Sequence, residues 1–294
     1  MIRAIMTTIG RHDRVNFLLT NRIPRRLATS LVGWFGRIEQ PLVRDASIAV
    51  WRVFADLDLS DAAEPRFASL HSCFTRSLKP GARPPDPDPG VLASPSDAIV
   101  GACGPIRGGG EMLQVKGSPY DLAELLDDSG HAASFAGGTF VTLRLTSAMY
   151  HRFHAPHDCT VTSVAHLFGD TWNVNPAALR RVPRLYCRNE RAVIRTTLHA
   201  GGHAVTLVPV AAILVAGIRL RFLNMPAGRA RRSRWSAACH AVLRKGEEMG
   251  WFEHGSTIVV VAPAGFALCD GIRDGLTIRA GQALLQMPAG SQQG

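Results

Sequence analysis

Apolar positions recur at helical spacing in the N-terminal part of the chain and at strand spacing afterwards. Between residues 21 and 55, Leu27, Leu31, Trp34, Phe35 and Ile38 follow the 3.6-residue period of one helix face. Pro41 suits the first position of a second helix, with Val43, Ser47, Val50, Trp51 and Phe54 following. Arg22, Arg25, Arg26, Arg37, Arg44 and Arg52 are spread through the same region. An apolar side with arginines nearby fits a helix lying in a membrane interface. It fits equally a helix packed on a core with solvated arginines. Residues 57–78 read as a further helix, broken by a loop at 62–65. Residues 79–90 contain Pro80, Pro84, Pro85, Pro87 and Pro89, which rule out regular helix and central strand. The boundary is placed there, between a helical region at 1–90 and a core at 91–294.

Beyond the connector the texture is that of strands. Val141, Leu143 and Leu145 alternate with Thr142, Arg144 and Thr146, which predicts a half-buried strand. Residues 191–198 and 204–210 flank Gly201-Gly202 and predict a hairpin. Residues 207–218 are apolar enough for burial on both faces, and 120–126 for a short helix. Gly and carboxylates at 246–253 predict a solvated loop, and the β-branched run at 257–262 a buried strand. Short strands punctuated by Gly265, Gly271, Gly275 and Gly281 follow. The fold class expected is α+β: N-terminal amphipathic helices, then a β-rich, mostly antiparallel, sandwich-like core.

Composition narrows the partners. Of 294 residues 46% are hydrophobic, enough for a sizeable core, and 33 Lys and Arg against 23 Asp and Glu leave a net charge of +10. That excess favours nucleic acid or anionic lipid. The six cysteines are scattered with no Cys-x-x-Cys, and no secretory signal is recognisable, so free thiols in a reducing compartment are expected. The longest apolar run, 207–218, is shorter than the ~20 residues a membrane span needs and holds Pro209, so no integral membrane protein is expected.

Two stretches carry chemistry. In Gly255-Ser256-Thr257, the glycine leaves its own carbonyl unshielded and tolerates strained backbone angles. The Ser256 hydroxyl can then attack the preceding carbonyl carbon. An ester forms by acyl shift, β-elimination cuts the chain to leave a dehydroalanine, and hydrolysis with loss of its nitrogen as ammonia turns Ser256 into a pyruvoyl group. The bland alternative is that Gly-Ser-Thr simply begins a strand. In Tyr150-His151-Arg152-Phe153-His154-Ala155-Pro156-His157, three histidines at a spacing of three raise a zinc site. Pro156 argues against one helical face for all three. In an extended segment His151 and His154 face opposite ways, which fits two separate tasks, or two ordinary hydrogen-bonded core histidines.

The segment from Arg244 to Thr257, with Gly255-Ser256 inside it, resembles the cleavage signature of the phosphatidylserine decarboxylases. Tyr150-His151-Arg152-Phe153-His154-Ala155-Pro156 resembles that family's histidine motif, and Ser94-Pro95-Ser96-Asp97 its Ser-Pro-x-Asp motif. Gln114-Val115-Lys116-Gly117 and Phe135-Ala136-Gly137-Gly138 are similar to further family blocks, and the matching blocks run from Asn21 to Pro288. Two departures are His254, where the common bacterial form has Leu, and Cys159, where many members have Gly.

The resemblance implies a proenzyme cut at Gly255-Ser256 into chains 1–255 and 256–294. It implies a relay of Asp97, His154 and Ser256 for the cut, with His154 as base and Asp97 orienting it. It implies a covalent pyruvoyl (pyruvate) group from Ser256, on which phosphatidylserine forms a Schiff base and loses carbon dioxide to give phosphatidylethanolamine. His151 is then the residue assisting decarboxylation and protonation. The partners implied are phosphatidylserine, anionic membrane lipid and a second processed protomer, with no resident metal. The location implied is the cytoplasmic side of the cell membrane, held peripherally. Two other readings explain parts of the sequence: a basic nucleic-acid-binding protein, and a zinc hydrolase using His151, His154 and His157.

Overall fold

The computed structural model describes residues 25–108, 110–113, 119–212, 217–224, 233–253 and 256–290. The Gln114-Val115-Lys116-Gly117 block, His254 and Gly255 lie outside the described residues, as do 21–24 and 213–216 of the stretches read above.

Among the described residues, helices α1 (Arg25–Phe35) and α2 (Pro41–Phe54) come first, where the apolar period places them. Pro41 occupies the first turn of α2, and the Gln40 side chain accepts from the Val43 amide. The expected helix at 57–78 is reduced to α3 (Leu70–Phe74). Asp58 accepts from the Ser60 amide, a local turn that competes with helix, and Pro65 lies just upstream. Ser69 and Ser72 then cap α3 reciprocally. The connector at 79–90 has no helix or strand. It is nonetheless pinned to the core: Asp86 donates its amide to Gly281, whose positive φ leaves no room for a Cβ against the Pro84 carbonyl.

The core then runs β1 (Val91–Ala93), β2 (Ala98–Pro105), β3 (Glu111–Leu113), β4 (Pro119–Asp121), α4 (Leu122–Leu126), α5 (Ser129–Ala133) and β5 (Thr139–Arg144). β6 (Arg152–His154), β7 (Cys159–Leu167), α6 (Pro176–Leu179), α7 (Leu185–Arg188), β8 (Arg191–Leu198) and β9 (Ala204–Ala211) follow. The chain closes with β10 (Ile218–Leu220), β11 (Trp235–Leu243), β12 (Glu248–Phe252), β13 (Ser256–Ala262), β14 (Ala267–Leu268), β15 (Thr277–Ile278) and β16 (Ala283–Gln286). The hairpin read from Gly201-Gly202 is β8–β9, both glycines having positive φ.

One eight-stranded sheet, in the order β11-β7-β8-β9-β13-β5-β2-β15, organises the molecule, and all its ladders are antiparallel. On one face Leu143, Ile258 and Val260 meet two small sheets, β10-β12-β6 and β1-β16-β14, through Phe153, Phe252 and Leu285. On the other, Phe140, Val259 and Val261 meet α4, α5 and α7 through Leu125, Ala132 and Tyr186, with Phe135 just after α5. The mixture of helix and antiparallel sheet is that of an α+β fold. The large sheet is thus covered by small sheets on one face and largely by helices on the other, not by a single facing sheet.

This layering explains two departures from the alternation. β5 is buried on both faces, Thr142 included, because it lies between two cores instead of between core and water. Residues 248–252 form β12, not a solvated loop, with Met249 and Phe252 fully buried. Gly250 is required there, since a Cβ would fall 2.0 Å from the Arg219 carbonyl oxygen on β10. All seven residues of β13 are buried. At ~1.5–3 kcal/mol for each buried Val or Ile side chain, this central strand is a major contributor to the fold.

Candidate active site

Ser256 opens β13 between β5 and β9. It pairs with Ala211, and its carbonyl accepts from the Leu145 amide at 2.9 Å. The residue is fully buried, and its hydroxyl has no hydrogen-bond partner among the described residues. A buried hydroxyl left unbonded costs roughly 1–3 kcal/mol. Ser256 lies in the lining of a mostly apolar cavity of about 820 Å³, whose other walls come from Phe35 of α1, Val43 and Trp51 of α2, and Leu70 and Phe74 of α3.

His151 and His154 serve two different places. His151 is fully buried against Phe74, a wall residue of that cavity, with ring centroids 3.9 Å apart. Its Nδ1 donates to the Met149 carbonyl at 2.8 Å, which makes Nε2 the basic nitrogen. His154 stacks on Tyr150, which lines a second cavity of about 550 Å³ together with the charged Asp97, Arg83 and Arg76. Thr146 and Ser147 line both cavities. His154 Nδ1 donates to the Gly246 carbonyl at 2.9 Å, and Nε2 accepts from the Tyr150 hydroxyl at 3.1 Å. Burial holds the His154 pKa below its ordinary value, opposed in part by the Gly246 carbonyl and by Glu248. The imidazole is therefore neutral at neutral pH, and Nε2, which accepts from Tyr150, is its basic nitrogen.

Asp97 stands just before β2. Arg83 from the connector grips it with two parallel bonds of 2.8 Å, and the Ala280 amide adds a third at 2.9 Å. Arg83 also reaches Asp61 at 2.9 Å. The His154 amide donates to Pro95, two residues before Asp97. The Ser94–Asp97 loop and the histidine strand are thus joined through backbone. Among the described residues, no side-chain hydrogen bond links Asp97 to His154 or His154 to Ser256.

His157 belongs to neither place. It is buried, with Nε2 donating to the Pro89 carbonyl at 2.9 Å. The three histidines take different partners and do not converge on a common point.

The comparisons with known proteins decide the family. The family model described as phosphatidylserine decarboxylase matches residues 70–286. A phosphatidylserine decarboxylase proenzyme of Xanthomonas oryzae pv. oryzae is 38% identical over 280 residues, covering 92% of this chain and 98% of its own. A proenzyme of the same description from Xylella fastidiosa is 35% identical over 257 residues, 85% of this chain and 87% of its own. The chain belongs to the phosphatidylserine decarboxylase family. It is a carboxy-lyase rather than a hydrolase.

Three residues of this candidate site carry roles that the sequence alone does not show. Arg83 was read only as part of a proline-dense connector, and no local spacing ties it to Asp97, 14 positions on. Tyr150 was read as part of a motif, four residues before the histidine it bonds. Arg152 joins the end of α3 to the core, donating to the Thr75 carbonyl and to Glu248 across the strand pair. The alternation of an extended strand does show that Arg152 and His151 point to different faces.

Proposed function

We propose that the chain is a self-processing proenzyme that cuts itself between Gly255 and Ser256, turns Ser256 into a pyruvoyl group, and converts phosphatidylserine to phosphatidylethanolamine and carbon dioxide. The observation that carries this reading is the Ser256 hydroxyl: buried, without a partner among the described residues, and on a residue lining the 820 Å³ cavity. An orphaned buried polar atom in a cavity wall is a mark of a functional position. A Ser256-derived carbonyl needs no hydroxyl donor, and the apolar lining suits a group that must be kept from water.

His154 is the base for the cut, because burial keeps it neutral. To reach Ser256 its Nε2 must give up the Tyr150 hydroxyl. Contacts of this kind are often long at rest and tighten in the reacting state. Asp97, fixed by Arg83 and the Ala280 amide, supplies the negative charge that favours a protonated His154. When present, the pyruvoyl group serves as the electron sink for the carbon that loses carbon dioxide. His151, on the cavity side, holds the proton that replaces it. The apolar walls exclude water and accept acyl chains.

Membrane attachment is read from α1 and α2. Leu31, Trp34, Leu42 and Val53 are exposed, Leu42 by 77%, and α2 has no buried residue. No helix among the described residues is long and apolar enough to cross a membrane. The two helices therefore lie on an anionic surface, which the basic excess attracts.

Intact mass is the test. Purified protein should appear as chains 1–255 and 256–294, the smaller one lacking a free amine and reacting with a carbonyl reagent. Ser256→Ala should remain whole and inactive. An active wild-type chain of full length overturns the reading.

A further inference from the structure

Arg144 ends β5, opposite Thr257 on β13 and Ile99 on β2, one residue from the Ser256 position along the ladder. It lines the cavity that contains Ser256. It is the sole charged residue among the described residues of that lining, which includes no Asp or Glu.

Its surroundings set it apart from the arginines that are paired. Arg83 has Asp97 and Asp61, Arg152 has Glu248, Arg195 has Asp128 and Arg219 has Glu253. Arg191 is satisfied by the carbonyls of Leu125, Glu124 and Asn189. Arg144 makes no ion pair and no side-chain hydrogen bond among the described residues. It is partly buried, and burial lowers its affinity for a proton, opposed by the charge interaction with Tyr186. A guanidinium withdrawn from water without a counter-charge is costly, and an arriving anion removes that cost. Arginine's planar fork suits an oxyanion with two free oxygens.

We propose that Arg144 is the anion-binding residue of the substrate cavity and holds the phosphodiester of the bound phospholipid. This rests on reading the cavity as the substrate site. The polar neighbours in the lining, Thr146, Ser147, Asn173 and Asn175, suit the head-group end of an amphiphile, and the walls from α1, α2 and α3 suit its chains. The substrate bears two anionic groups, and the chemistry selects between them. Its carboxylate leaves as neutral carbon dioxide. A cation held on the carboxylate would stabilise the ground state more than the transition state and oppose the reaction. The phosphodiester keeps its charge throughout, so a bond to it adds affinity and orientation without that penalty. It also lies only a few bonds from the reacting amine, which matches the proximity of Arg144 to the start of β13.

Direct binding tests this without requiring turnover. Purified protein is titrated in a calorimeter with three short-chain probes below their micelle concentration: phosphatidylglycerol, diacylglycerol and an O-acylserine. The first carries a phosphodiester and no carboxylate, the second neither, the third a carboxylate and no phosphate. Arg144→Gln should weaken phosphatidylglycerol roughly 10- to 100-fold, the scale of a lost charge-assisted pair. Diacylglycerol should change by less than about threefold, which also reports that the cavity is intact. Arg144→Lys should recover part of the loss and covers the case in which the glutamine variant is unstable. Equal losses for phosphatidylglycerol and diacylglycerol, or no loss, overturn the proposal. A greater loss for the O-acylserine assigns Arg144 to the carboxylate and overturns it too. If the wild-type chain is uncut and Arg144→Gln still loses phosphatidylglycerol selectively, the pyruvoyl reading is overturned and this one stands.

Discussion

Asp97 and the histidine strand are joined by a backbone bond, from the His154 amide to Pro95, yet Asp97, His154 and His151 do not share one environment. The pair Arg83–Asp97 has both side chains nearly buried and is bidentate, so removing the arginine would leave a buried carboxylate at a cost of roughly 3–5 kcal/mol. That clamp holds Asp97 beside the histidine strand whatever the rest of the connector does. His154 stacks on Tyr150, which shares a cavity with Asp97, and His151 packs against Phe74, a wall residue of the apolar cavity, each with Nδ1 committed to a backbone carbonyl. The expected division of labour follows. His154→Ala should accumulate as uncut chain. His151→Ala should cut and carry the carbonyl group, yet lose on the order of 100-fold in carbon dioxide release, the scale of a lost proton donor. The pH dependence carries a sign. Burial depresses the His154 pKa, so the base form persists as pH falls through 6.5. Cutting, followed by mass against time, should therefore hold its rate at pH 6.5 and decline only below it. A midpoint above 6.5 would mean that another group limits the cut.

At the scale of elements, α1, α2, β8, β9 and β13 were legible because their patterns are local. Pro41 and the 3.6-residue period mark α2, and Gly201-Gly202 between two apolar runs marks the β8–β9 turn. What was not legible depends on distant partners. Thr142 reads as a solvent-facing position, yet α4, α5 and α7 cover that face. Glu248 reads as loop, yet it anchors β12 because Arg152 and Arg221 neutralise it at 3.0 and 2.6 Å. The site shows the same division. Ser256, His151 and His154 were legible as motif residues. Arg83 and Arg144 were not, because their meaning lies in an acid that one contacts and that the other lacks among the described residues. The exposed side of α1 and α2 gives a prediction at this scale. Phe35, Val50 and Trp51 line the cavity, whereas Leu31, Trp34, Leu42 and Val53 do not. Changing the latter four to Ser should abolish co-sedimentation with liposomes rich in anionic lipid and leave self-cleavage complete. Full sedimentation of that variant would mean that lipid is met elsewhere.

Across the whole molecule, burial acts on titratable groups in several layers at once, and it sets the pH range of stability. His71 in α3, His131 in α5 and His154 in β6 all have depressed pKa values, chiefly by desolvation. Above their ordinary value of 6.5 these imidazoles are neutral in both folded and unfolded chains, so their contribution is fully present. As pH falls below 6.5 the unfolded chain takes up protons first, and stability is lost. The thiols act in the opposite sense. Burial pushes Cys73 and Cys103 up to about 11, and Cys159 and Cys187 up to about 12, against an ordinary 9.0. Below pH 9.0 they are protonated in both states. Above it the unfolded chain ionises first, and stability falls as pH rises towards those higher values. The thermal midpoint of Ser256→Ala, used so that self-cleavage does not intervene, should be level between about 6.5 and 9 and decline on both sides. Near pH 5.5, above the ordinary carboxylate range, the decline should amount to a few degrees. It should shrink in His131→Gln, where the glutamine can keep a bond to Thr206 in place of the 2.8 Å one made by Nε2. A midpoint that rises on acidification to pH 5.5 would show that these histidines gain protons more readily folded than unfolded, and would reverse the argument.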